Sequence, residues 1–243
     1  MRRLTAFIAV CLAVGFTHTG DAGDVLVLNA AGSPPLINDD GTGFVERVMG
    51  EAFRRCGIEL QLVHLPPERG LRNANAGIED GEIGRTAGIE GRYPNLVRVP
   101  EAIIKLRFVA FSRKRSIAVE NWGMLRPYRV GIIKGWKVFE DNLRGIVTPM
   151  LVDDAEQLFN LLERDRTDVV LYERWMGLAQ ARKRGSHDAT ALSPPLASLD
   201  IFTYLHKKHA GLAPKVAAAL RAIKADGTYQ RAFDEAIGPL IRP

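Results

Sequence analysis

DVLVLNAAGSPPLINDDGTGFVERVMGEAFRRCGIELQLV, residues 24–63, is the stretch that decides the fold. Residues 24–29 form a short apolar run with strand character, and residues 30–42 are rich in Gly, Pro, Asn and Asp, the composition of a loop. From Phe44 the period changes. Phe44, Val48, Ala52 and Cys56 make one row at four-residue spacing, with Val45, Met49 and Phe53 alongside, so a helix is expected over residues 44–55. Gly57 stops it. Residues 58–63 then alternate as a second strand. A strand-helix-strand opening of this kind builds parallel sheet.

The same alternation continues downstream. Two proline-punctuated segments lead to an apolar strand over residues 103–111, and a further strand at 128–133 runs into Lys134-Gly135-Trp136-Lys137. Asp154 is placed to cap a helix, with Gln157 at the capping-box position. Residues 169–172 read as a buried strand, followed by a helix containing Trp175 and Leu178. Residues 201–206 form the last strand. Two helices close the chain, one with Pro214 near its start and Gly227 after its end, the other with Tyr229, Phe233 and Ile237 in one row. The pattern is α/β throughout, without internal repeat or long linker.

Upstream, residues 1–22 have the layout of a secretory signal. Arg2 and Arg3 precede an apolar run of 13 residues (4–16), and a polar stretch of mostly small residues ends at Ala22. A membrane span needs about 20 apolar residues, so export with cleavage after Ala22 is expected, and with it a periplasmic location. Cleavage removes two cations and one anion, which takes the net charge from +5 to +4. The basic residues are dispersed, so nucleic-acid binding is unsupported. The mature chain keeps one cysteine, Cys56, on the apolar row of its helix. No internal disulfide is possible, and an inert thiol is expected.

Catalytic signatures are missing. The sequence has no G-x-S-x-G elbow, H-E-x-x-H or phosphate-binding loop. Glu46 stands where a dinucleotide fingerprint starting at Gly41 would need its third glycine. His64, His187, His206 and His209 lack metal-ligand spacing, so no metal or cofactor is expected. Asp39-Asp40 and Asp153-Asp154 read as turn and cap residues.

Five segments in order carry a resemblance: Ser33-Pro34-Pro35-Leu36 with Gly41-Thr42-Gly43-Phe44; residues 103–114; Arg129-Val130-Gly131-Ile132-Ile133-Lys134-Gly135; Phe202-Thr203-Tyr204-Leu205-His206-Lys207-Lys208; and residues 220–229 (LRAIKADGTY). Over essentially the whole mature chain the sequence resembles the family 3 extracellular solute-binding proteins, the amino-acid-type receptors of bacterial ABC importers, in a divergent branch. Gly84 stands where the family carries an aspartate, and residues 85–100 are shorter than usual. The resemblance implies a two-lobed type II periplasmic binding protein fold. Lobe 1 would comprise residues 23–111 and 202–243, and lobe 2 residues 112–201, with two crossovers between them. It also implies a non-enzymatic monomer that closes on a small polar, amino-acid-like ligand and delivers it to an inner-membrane ABC permease. A sensory protein partnering a signalling receptor, or a dehydratase-like enzyme, is the alternative on the same scaffold.

A zwitterion needs a cation for its carboxylate and an anion for its ammonium. Arginine suits the first because its planar fork pairs a carboxylate in bidentate fashion. Arg92, before Tyr93-Pro94, is nearest the family's carboxylate-binding arginine, and Arg85, directly after Gly84, is its rival. Glu173 follows the apolar run at the place of the family's ammonium-binding carboxylate, with a salt bridge to Arg174 as the structural alternative. Gly135 and Trp136 precede a helix whose free amides suit an anion, and Trp136 either covers the ligand or packs the turn. Pro35 and Leu36 replace the family's aromatic platform with an aliphatic one. Arg69, after Pro66-Pro67-Glu68, either reaches the cleft mouth or starts a surface helix.

Overall fold

In the computed structural model, residues 24–30, 32–38, 40–185 and 188–241 are described; the expected leader and His187 lie outside them. The chain opens with β1 (Val25–Ala30), α1 (Phe44–Arg55) and β2 (Glu59–Val63). The apolar rows of α1 are buried, Phe44, Val48, Met49, Ala52 and Phe53 almost completely. Its first turn is closed by Glu46, whose Oε2 accepts from the Gly43 amide at 2.7 Å. Next come α2 (Pro67–Ala76), with proline in its first turn, then β3 (Gly81–Arg85), β4 (Leu96–Arg98) and the long β5 (Ile104–Ser112).

After a 3-10 turn at Trp122–Leu125 follow β6 (Val130–Ile133), α3 (Lys137–Leu143), β7 (Met150–Val152), α4 (Ala155–Glu163), β8 (Val169–Glu173), α5 (Arg174–Lys183) and β9 (Thr190–Ala191). The return is β10 (Ala197–His206), a second 3-10 segment (Lys207–Leu212), then α6 (Ala213–Ala225), α7 (Thr228–Ala236) and α8 (Gly238–Ile241). β10 starts four residues earlier than the sequence suggests. Its outer half, Ala197–Asp200, is only partly buried, so the apolar signal there is weak.

Among the described residues the strands follow the order β2-β1-β3-β10-β5-β8-β6-β7, with β4 on β10 and β9 on β5. β1, β2 and β3 are parallel to one another, and so are β6, β7 and β8. β5 and β10 join the two parallel groups. The first half of β10 pairs antiparallel with β5 (Ala197 with Phe108, Ile201 with Ile104), and its second half pairs with β3. The register shifts between Phe202 and Thr203, where β10 passes from one partner to the other. Two parallel groups joined by two shared strands are the two lobes of the fold.

Side chains of β5 alternate across the sheet, as the strand period requires. Val109 and Phe111 join the larger core with Phe159, Tyr172 and the α1 residues, while Phe108 and Ala110 join Leu125, Ile132, Phe139 and Leu171. Trp175 of α5 meets Phe233 of α7 edge to face, ring centres 5.4 Å apart. α5 approaches β5 through Gly177, where a Cβ would overlap the Phe111 ring. Gly177→Ala is therefore expected to cost about 1–3 kcal/mol in overpacking. Gly50→Ala, in the middle of α1 with open space around its Cβ, is expected to add about 0.5–1 kcal/mol. Denaturant midpoints of the two variants should move in opposite directions.

Candidate functional site

The carboxyl ends of parallel strands leave a crevice where ligands settle in open α/β sheets, and a cleft of about 500 Å³ lies there. Ala30 ends β1, His64 follows β2, and Gly84 and Arg85 end β3. The opposite wall brings Trp136, from the turn after β6, and Met176, from the first turn of α5. Ile104, Leu106 and Ile201 of the two shared strands line it between the walls. Leu36, Ile37, Val45 and Leu65 complete an apolar surround. Among the described residues, Arg85 is the only lining side chain with a permanent charge.

Arg85 is held from behind. Its Nε donates to Glu82 Oε1 at 2.9 Å, and Nη2 donates to the same oxygen and to the Pro67 carbonyl, the latter at 2.9 Å. The Glu82 carboxylate is fully buried. Its other oxygen accepts from Asn29 Nδ2 at 2.8 Å, and Asn29 Oδ1 in turn accepts from the Leu65 amide at 2.7 Å. Burial raises the Glu82 pKa; Arg85 and Asn29 oppose that rise. Gly70 of α2 allows the close approach, because a Cβ there would press into the Asn29 amide and lie 2.7 Å from Glu82 Oε2. A guanidinium locked in this way meets an anion without first losing rotamer freedom.

His64 sits beside it. Its Nδ1 lies 3.0 Å from the Ala30 carbonyl, which can only accept, so that nitrogen carries the proton. Nε2 is 4.0 Å from Glu46 Oε1, a buried oxygen with no hydrogen-bond partner among the described residues.

The other expected residues are dispersed. Arg92 is an exposed turn residue paired with Glu68 at 3.0 Å, away from the cleft lining. Arg69 is also exposed and outside the lining. Leu36 lines the cleft; Pro35 is buried behind it, its carbonyl accepting from the Phe44 amide at 3.0 Å. The Gly135 amide donates to Glu140 Oε1 at 2.7 Å, so the start of α3 already holds a carboxylate of its own chain. Trp136 both packs and lines: it stacks on Phe139 at 5.7 Å, lies 4.9 Å from Tyr172, and faces the cleft.

Glu173 ends β8 and caps α5, Oε2 accepting from the amides of Trp175 (2.8 Å) and Met176 (3.0 Å). It is fully buried and outside the cleft lining, and its Oε1 has no hydrogen-bond partner among the described residues. Arg174 lies over the Trp175 ring, 5.5 Å from its centre, and not against the Glu173 carboxylate. The Glu82–Asn29 support, His64 and Met176 were missed from sequence. The one available signal was a glutamate inside an otherwise buried strand, three residues before Arg85.

No protein-family model matches the chain. An uncharacterized protein of Shewanella oneidensis is 24% identical over 196 residues, covering 77% of this chain and 74% of the relative. Among solved structures, the P235GK mutant of ArgBP from T. maritima is 21% identical, covering 88% of this chain and 95% of that one, with a TM-score of 0.69. The GluR0 ligand-binding core complexed with L-glutamate is 10% identical, covering 89% and 99%, at 0.76. A histidine kinase sensor domain similar to periplasmic binding proteins is 15% identical, covering 90% and 98%, at 0.71. The fold is that of the type II periplasmic binding proteins, in a divergent sequence. Among the described residues, no cluster of three metal-ligating side chains occurs and no helix is long and apolar enough to cross a membrane.

Burial pushes the Glu173 carboxyl up from 4.5 to about 7, against the pull of the Met176 and Trp175 amides. The unfolded chain therefore loses this proton first. The stabilisation from the protonated folded form is complete below about pH 4.5 and is lost as pH rises to about 7, a change of about 3 kcal/mol. Glu173→Gln keeps an acceptor oxygen but cannot ionise. Urea unfolding at pH 5 and pH 8 should show the wild type losing stability relative to this variant at the higher pH; parallel behaviour would contradict it.

Proposed function

We propose that the chain is an exported solute-binding protein that captures a small organic ligand between its lobes and delivers it to an ABC permease in the inner membrane. The observation that carries this reading is Arg85, fixed by a buried carboxylate at the floor of an apolar cleft between the two strand groups. The lobe limits are proposed at residues 23–111 with 202–243, and 112–201; the register shift at Phe202/Thr203 supports the return crossing near residue 202. Closure would bend the shared strands β5 and β10 and bring Trp136 and Met176 toward Arg85, a hinge motion that buries the ligand. Arg85 replaces Arg92 as the proposed anchor because Arg85 lines the cleft, while Arg92 is solvent-exposed and outside the lining. The working unit is proposed to be a monomer, without cofactor or catalysis.

The test is capture. After incubation with a metabolite extract of the host, native mass spectrometry should show a dominant small-molecule adduct. X-ray scattering should show the protein becoming more compact with it. Glu82→Gln/Arg85→Gln, which removes both charges together, should weaken the adduct about 30-fold or more, whereas Arg92→Ala should leave affinity within about twofold. An adduct indifferent to both Glu82→Gln/Arg85→Gln and Trp136→Ala, or no adduct at all, would refute ligand capture in this cleft.

The likeness to a histidine kinase sensor domain favours a second reading, in which the loaded protein engages a signalling receptor. Stimulation of a reconstituted permease's ATPase by the loaded protein supports delivery. Binding to a receptor's external domain without that stimulation supports sensing.

A further inference from the structure

We infer that the cleft selects a carboxylate carried on an apolar body and discriminates against zwitterionic amino acids, an inference that rests on the cleft being the ligand site. Arg85 presents one guanidinium edge to Glu82 and Pro67, while its Nη1 has no hydrogen-bond partner among the described residues. That nitrogen is the donor left for a ligand carboxylate. The cleft supplies nothing equivalent for an ammonium, since no carboxylate lines it among the described residues.

Each nearby carboxylate lies outside the cleft lining. Glu82 is buried beneath Arg85. Glu46 is outside the lining, its Oε2 accepting from the amides of Asn38 and Gly43 and its Oε1 4.0 Å from His64 Nε2. Glu173 caps α5 from outside the lining. Asp153, Asp154 and Glu156 line an adjoining recess that shares Ser33 and Trp136 with the cleft and also holds Lys183; Asp154 there caps α4, accepting from the Gln157 amide at 2.8 Å.

An ammonium enclosed by Leu36, Leu106, Ile201, Trp136 and Met176 would lose its hydration without gaining a counter-charge, and unpaired burial of that kind is strongly unfavourable. The same walls favour a branched or aromatic hydrocarbon body through the area they remove from water. The cleft thus rewards a carboxylate at one end and carbon everywhere else.

Matched compounds test this by calorimetry: isocaproate against leucine, phenylpropionate against phenylalanine, and isocaproamide as the uncharged control. At least one of the two monocarboxylates should bind, with its amino acid about 30-fold or more weaker; isocaproamide should be similarly weak relative to isocaproate. Amino acids binding as well as their deaminated counterparts would overturn the inference while leaving ligand capture intact. No binding by any of the five compounds would also overturn it, and capture itself would still be judged by the extract adduct.

Arg85→Met alone strands Glu82 as a buried charge and can compromise folding. The paired variant Glu82→Gln/Arg85→Gln avoids this. It should bind isocaproate and isocaproamide within about threefold of each other. Retention of a strong carboxylate preference in that variant would assign the anchor elsewhere and overturn the proposal.

Discussion

Antiparallel pairing of Ile104–Phe108 with Ala197–Ile201 is the contact on which the rest of the structure depends. β5 and β10 are the longest strands, and each serves two neighbourhoods. β10 hands its second half to β3, and β5 hands its second half to β8. Apart from the short β4 and β9, which pair antiparallel with β10 and β5, every other strand belongs to one parallel group. The cleft therefore has walls from two groups and a middle made of shared strands, contributed by Ile104, Leu106 and Ile201. Motion of one group against the other must pass through these strands, since they are the continuous hydrogen-bonded link in the sheet.

A second constraint is electrostatic. Glu82 has no access to water, and an ionised carboxylate in that position is tolerable only when paired and fully hydrogen-bonded. Asn29 from β1 and Arg85 from the end of β3 meet it, and the Leu65 amide completes the chain behind Asn29. α2 can cover this cluster because residue 70 has no side chain. The arrangement ties the ends of β1 and β3, the chain after β2 and the start of α2 into one polar unit, and Arg85 is its partly buried tip at the cleft. The orientation of the guanidinium is thus set by residues that a ligand never touches.

Local patterns were legible in the sequence; encounters between distant segments were not. The rows Phe44-Val48-Ala52 and Val45-Met49-Phe53 define α1 to the residue, because an apolar stripe of that length has one helical interpretation. Asp154 is equally readable, since a cap needs only its own next turn. Arg85 and Arg92 look alike along the chain. What separates them is that Arg85 still belongs to β3, beside a buried glutamate, while Arg92 lies in a turn. Glu173 was placed correctly at the end of β8. Its orientation depends on α5 starting at the very next residue, whose second and third amides take the carboxylate. Gly135 shows the same limit: the amide is where an anion would bind, but Glu140, five residues on, reaches back to it.

The late position of β10 also has a consequence in time. β3 ends at residue 85, yet it borders β10, which begins at residue 197; α1 packs against α6, later still. The amino-terminal half therefore cannot complete its sheet or cover its first helix until nearly the whole polypeptide has been synthesised. Contacts of such long sequence separation close slowly, because the loop entropy must be overcome before they form. A chain built in this order can pair β6, β7 and β8 with β5 early, but it closes its first parallel group only when its last fifth arrives.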